Sequence, residues 1–92
     1  MEAICIIIEK DSEKIKAIRT LESLGYKKRY KHYYIYIGEG IQVFFGRADG
    51  WITQSSFGNN KESALRYSLT HGYTPISLSG KKFMDIEWKV KL

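Results

Sequence analysis

A two-layer α+β sandwich, with a mainly antiparallel sheet and both helices on one face, is predicted by three features of the sequence. Residues 3–8 form a short apolar run bounded by charge. Two stretches with helical spacing of apolar residues each end in Gly-Tyr, at Gly25-Tyr26 and Gly72-Tyr73. Between them, residues 26–57 are dense in β-branched and aromatic residues and are broken only by turn-forming glycines. A chain of 92 residues is one domain by any length prior. It buries roughly 60 to 68% of its unfolded surface, enough for a single core.

Each element has a local reason. Residues 2–9 (EAICIIIE) read as a central strand, because a strand covered on both faces needs no polar alternation. Asp11 or Ser12 can cap a helix running through Leu24. Ile15, Ile18, Leu21 and Leu24 would lie on one side, with Glu13, Lys14, Lys16, Arg19 and Glu22 mostly on the other. Gly25 ends this helix and Tyr26 folds back over its last turn. Residues 30–37 (YKHYYIYI) and 41–46 (IQVFFG) predict a hairpin around Gly38-Glu39-Gly40. A three-residue loop pairs Ile37 with Ile41, Ile35 with Val43, Tyr33 with Phe45 and Lys31 with Arg47. Asp49-Gly50 then predicts a two-residue turn pairing Ala48 with Trp51, Gly46 with Thr53 and Phe44 with Ser55. Residues 59–62 (NNKE) have capping-box spacing for a second helix over 60–71, with Ala64, Leu65, Ser68 and Leu69 as its buried stripe. Thr74-Pro75 breaks that helix before a short apolar segment, Ile76 to Leu78. Finally, Ile86, Trp88, Val90 and Leu92 alternate with Glu87, Lys89 and Lys91, as in an edge strand.

The resulting order, β-α-β-β-β-α-β-β, is a ferredoxin-like arrangement with one added strand. Its two strand-helix-Gly-Tyr-strand stretches form a weak internal echo. If the helices share one side, the other sheet face stays open. Alternation places Tyr33, Ile35, Ile37, Ile41, Val43, Phe45 and Ile52 beneath the helices, and Tyr30, His32, Tyr34, Tyr36, Gln42, Phe44, Trp51 and Thr53 on the open face. Phenolic rings keep a polar handle that aliphatic groups lack, so the second face is the expected working surface.

Cations interleave with those rings, and this combination holds single-stranded nucleic acid: bases stack on rings while Lys and Arg neutralise phosphates. The candidate contacts are Lys28, Arg29, Tyr30, Lys31, His32, Tyr34, Tyr36, Phe44, Arg47 and Trp51, with Lys27 extending the cationic row. The formal net charge of +5 favours an acidic partner, whether single-stranded RNA or DNA or an acidic protein surface. Three other readings follow from the same residues. A basic chain of this composition suits a phage or mobile-element inhibitor or adaptor that binds a host protein, of the anti-CRISPR or anti-restriction type. Stacked rings could grip a nucleotide ligand. His32 and His71 could serve a small RNase toxin as acid and base. Against all of these, the rings could be covered by the C-terminal segment or by a second copy of the chain.

No catalytic, metal-ligand or phosphate-loop motif is present, so the sequence predicts a binding protein without enzymatic activity or cofactor. Gly46, Gly50 and Gly58 lack the Gly-Lys-Ser/Thr that opens a P-loop helix. Cys5 is the single cysteine, which excludes an internal disulfide and leaves a buried thiol as its role. The first apolar run is too short to span a bilayer and lacks the flanks of a signal peptide, so no membrane and a cytoplasmic location are expected.

Overall fold

The computed structural model describes residues 1–28 and 40–78. Five strands, β1 (Ile4–Ile8), β2 (Lys27–Lys28), β3 (Gln42–Gly46), β4 (Trp51–Ser56) and β5 (Thr74–Pro75), form one sheet in the order β2-β4-β3-β1-β5. Two helices, α1 (Lys14–Ser23) and α2 (Lys61–Thr70), complete the fold, with a 3₁₀ turn, Asp11–Glu13, leading into α1. The class is α+β, as expected, but the sheet is mixed. β1 pairs antiparallel with β3 and parallel with β5, while β4 pairs antiparallel with β3 and parallel with β2. Among the described residues the strand order is not the ferredoxin-like one.

β1 and β4 therefore run in the same direction on either side of β3. From β1 the chain crosses towards one sheet edge through α1; from β4 it crosses towards the other through α2. Because such crossovers are right-handed, opposite directions of travel put the helices on opposite faces. The core confirms this. Ala17 and Leu21 of α1 pack with Ile4, Ile6, Ile8, Phe44, Ile52 and Tyr26. Ala64 of α2 packs with Cys5, Ile41, Val43 and Phe45, which are the alternate residues of the same strands. The expected arrangement of both helices on one face is thus corrected, and the sheet centre has no open face. Phe44 and Gln42, assigned to an exposed surface, are buried beneath α1. The buried Gln42 amide accepts a hydrogen bond from Gln54 Nε2 at 2.5 Å.

The registers differ as well. Both edges of β3 are taken, with Val43 opposite Ile7 and Ser55, and Phe45 opposite Cys5 and Thr53. The predicted partners at 30–37 lie outside the described residues, as does the predicted strand over 86–92. At the β3-β4 turn, Gly46 faces Ile52 and Phe44 faces Gln54, one residue from the predicted alignment. The loop has three residues instead of two. Gly50 takes φ +92° at its last position, while its N–H donates to the Arg47 carbonyl at 2.8 Å. A type I turn followed by a left-handed glycine closes hairpins of this length.

α1 buries Lys14, Ala17 and Leu21 against the sheet, with Ile18 packed beside them, so of the predicted stripe Ile18 and Leu21 face inward while Ile15 and Leu24 do not. Alanine at the contact lets the helix approach closely, and Ile15 and Leu24 turn outward. The start of this segment is held by neither Asp11 nor Ser12: the Glu13 carboxylate accepts from the Lys10 N–H. α2 buries Ala64, Leu65 and Ser68 as expected, leaves Leu69 exposed, and is capped by Asn60, whose side chain accepts from Ser63 N–H at 2.9 Å.

The internal echo becomes a structural repeat at a fixed spacing of 47 positions. Lys14, Ala17, Arg19, Gly25 and Tyr26 recur as Lys61, Ala64, Arg66, Gly72 and Tyr73. Both helices close in the same Schellman geometry. Gly25 (φ +102°) and Gly72 (φ +83°) are left-handed, and the Tyr26 and Tyr73 N–H groups reach back to the Leu21 and Ser68 carbonyls at 3.1 and 2.9 Å. The registers repeat too: Ile4 with Thr74 and Trp51 with Lys27 are the same pairing. A pseudo-two-fold axis along β3 relates the halves, exchanging β1-α1-β2 with β4-α2-β5.

Tyr26 packs over Gly46, where an added Cβ would lie 2.8 Å from the ring, and its hydroxyl donates to the Glu2 carbonyl. Gly46→Ala should therefore lower the unfolding free energy by about 1 to 3 kcal/mol, as overpacking does. Urea denaturation of Gly46→Ala in wild-type and Tyr26→Leu backgrounds checks this, since the cost should shrink once the ring is gone.

Candidate nucleic-acid interface

Of the predicted contacts among the described residues, Arg47 and Trp51 come together at the turn end of β3 and β4, joined there by Lys27. Trp51 opens β4 and keeps 38% of its surface exposed. On one side Lys27 of β2 stands directly opposite it, and the Lys27 N–H donates to the Gly50 carbonyl at 2.8 Å. On the other, the Arg47 N–H donates to the Trp51 carbonyl at 2.9 Å, continuing the β3-β4 ladder by one pair. Residues paired across adjacent strands point to the same face. Lys27, Trp51 and Arg47 thus form a transverse row, a ring between two cations, on the α2 side of the sheet.

Asp49 organises the turn beneath this row. One carboxylate oxygen accepts from the Trp51 N–H at 3.1 Å, while the other lies 2.7 Å from the Arg47 guanidinium. Both side chains of that ion pair are about two-fifths exposed, so water screens most of its energy. Its effect is to tether the guanidinium to the turn. Thr53 and Ser55, half-buried, continue the same face along β4. Lys28 is exposed but stands opposite Ile52, and so belongs to the other face. Of the remaining predicted contacts, Phe44 is sealed in the core. Arg29, Tyr30, Lys31, His32, Tyr34 and Tyr36 lie outside the described residues.

Sequence reasoning missed a second aromatic group on the α2 face. Phe45 lies 4.5 Å from Tyr73 and 6.0 Å from Tyr67 between ring centroids, and Tyr67 is 5.4 Å from Phe57. The His71 ring stacks on Tyr67 at 4.0 Å, and its Nδ1 lies 2.8 Å from the Tyr67 carbonyl. The Tyr67/His71 spacing of one helical turn was the available signal. Burial raises the Tyr73 hydroxyl above its usual pKa, and the nearby Arg47 charge works against that rise.

Other chemistry finds little support among the described residues. No group of His, Cys, Asp and Glu there is placed to hold a metal ion, and no helix there is long and apolar enough to cross a membrane. The Cys5 thiol is pushed up to about 12 by burial, against which a hydrogen bond with Ser68 acts. A thiol so strongly protonated is a poor nucleophile at neutral pH. No protein-family model matches this chain, and no curated protein or solved structure matches it.

The Cys5 environment gives a pH dependence with a definite sign. The thiol of the unfolded chain titrates near 9.0 and that of the native protein near about 12. Between those values the native state binds more protons, so stability falls as pH rises. Cys5→Ala should show a shallower loss of stability above pH 9.0 in urea titrations. Native protein should also react with a disulfide reagent at least about 100-fold more slowly than the unfolded chain.

Proposed function

We propose that this protein binds single-stranded RNA or DNA without catalysing a reaction on it, using Trp51 as a stacking platform between the cations Lys27 and Arg47. The observation that carries the reading is the exposed indole flanked on both neighbouring strands by positive side chains. A base laid on the indole contributes about 1 to 3 kcal/mol. Lys27 and Arg47 sit where the phosphates on either side of that base would pass. The turn below is held by its own hydrogen bonds, so little ordering is required on binding. Thr53 and Ser55 offer hydroxyls along the same path, and the net positive charge raises the rate of encounter. Stacking and phosphate contacts do not read base edges, so the expected preference for sequence is weak.

Titration of the full chain with a dT oligonucleotide tests this. In a Trp88→Phe background, Trp51 fluorescence should be quenched on binding. With Lys27 and Arg47 contacting phosphates, log affinity should fall against log salt with a slope of about −1.4. Trp51→Ala should weaken binding by about 1 to 3 kcal/mol while leaving the urea midpoint in place. A salt-independent affinity, or quenching that survives Lys27→Ala and Arg47→Ala together, excludes the interface.

A further inference from the structure

A second surface lies on the outer side of α1, away from the Trp51 row. Ser12, Ile15, Lys16, Arg19, Thr20 and Ser23 line a shallow depression of about 500 Å³. They follow one another at helical spacing, so the depression runs along the helix axis. Two of the six are cations and none is a carboxylate. Among them Ile15 is 63% exposed.

A single exposed aliphatic residue on a helix needs no explanation. Here the repeat supplies an internal comparison. The position of Ile15 in α1 is that of Glu62 in α2, and α2 packs on its own sheet face with glutamate there. The fold therefore accepts a charge at this position, and core packing gives no reason for isoleucine. Lys16 likewise stands where α2 has Ser63, whereas Arg19 and Arg66 are common to both helices. α1 thus carries an exposed apolar residue and an added cation where α2 has Glu62 and Ser63, whereas the exposed apolar residues of α2, Tyr67 and Leu69, stand where α1 has Thr20 and Glu22.

We propose that this face of α1 docks an acidic segment of another protein, seating an apolar side chain against Ile15 and placing carboxylates beside Lys16 and Arg19. An aliphatic centre with a charged rim is the anatomy of a protein interface. It offers no ring on which a nucleobase could stack, and this separates it from the Trp51 row. Both cations, Lys16 and Arg19, lie on one flank of Ile15, so charge fixes the orientation of the incoming segment.

Selection of a random peptide library on the full chain, with counter-selection on Ile15→Glu, tests the proposal. Glutamate is what α2 carries at this position, so the variant should keep its fold, and Arg19→Glu provides a second, independent disruption. The enriched peptides should combine an apolar residue with two or more carboxylates. They should lose about tenfold or more in affinity to either variant and resist displacement by oligo(dT). No enrichment, peptides without an acidic excess, equal affinity for Ile15→Glu, or displacement by oligo(dT) would each overturn it. Because the Trp51 row is untouched by either variant, oligonucleotide affinity measured alongside separates failure of this surface from failure of the nucleic-acid site.

Discussion

The antiparallel insertion of β3 between β1 and β4 is the constraint from which the remaining architecture follows. With β3 reversed, β1 and β4 become parallel and each must send its chain outward to its own edge of the sheet. Right-handed crossovers then deliver α1 to one face and α2 to the other. Both faces of the central strands are consequently covered, which explains why Ile6 and Phe44 on one side and Cys5 and Val43 on the other are sealed from water. Among the described residues, the helices leave uncovered the turn end of β4, where Trp51 emerges, and their own outer sides.

The two helix endings make this arrangement reproducible. A left-handed glycine followed by tyrosine closes each helix, and the tyrosine N–H satisfies a carbonyl that would otherwise be left without a partner. The rings then diverge in use. Tyr26 fills the space over Gly46 and anchors the Glu2 carbonyl, whereas Tyr73 stacks with Phe45 beside Arg47. Ser68 stands where the other half has Leu21, and its hydroxyl turns back to the Ala64 carbonyl at 2.8 Å. The same backbone frame therefore carries an aliphatic contact in one half and a hydroxyl in the other, and this tolerance is what makes the retained Ala17/Ala64 and Gly25/Gly72 pairs informative about geometry.

Much of the local structure was legible. The apolar run of residues 3–8 had to be central, Gly25 and Gly72 had to end helices, and Ala64, Leu65 and Ser68 had to face inward, because each follows from short-range rules on burial and backbone conformation. Strand neighbours and helix faces were not legible, since they depend on partners far away in sequence. Gln42 illustrates the difficulty. Alternation placed it on the face expected to be open, yet α1 covers that face, and Gln54 from the adjacent strand donates to its side-chain oxygen. In α1 the isoleucines outweighed Ala17 in any count of hydrophobicity, although a small residue is what brings a helix close to a sheet.

The candidate site depended on the least predictable detail, the length of one turn. Two loop residues at Asp49-Gly50 would have set Ala48 against Trp51 and left the indole without a charged neighbour on β3. The third loop residue slides β4 by one position, which carries Ile52 to the α1 face beside Phe44 and brings Arg47 opposite Trp51. Asp49 stabilises that longer turn by accepting the Trp51 N–H and holding the Arg47 guanidinium. The carboxylate that reads in sequence as ordinary turn chemistry thereby selects the register, and the register places a cation on each side of the ring.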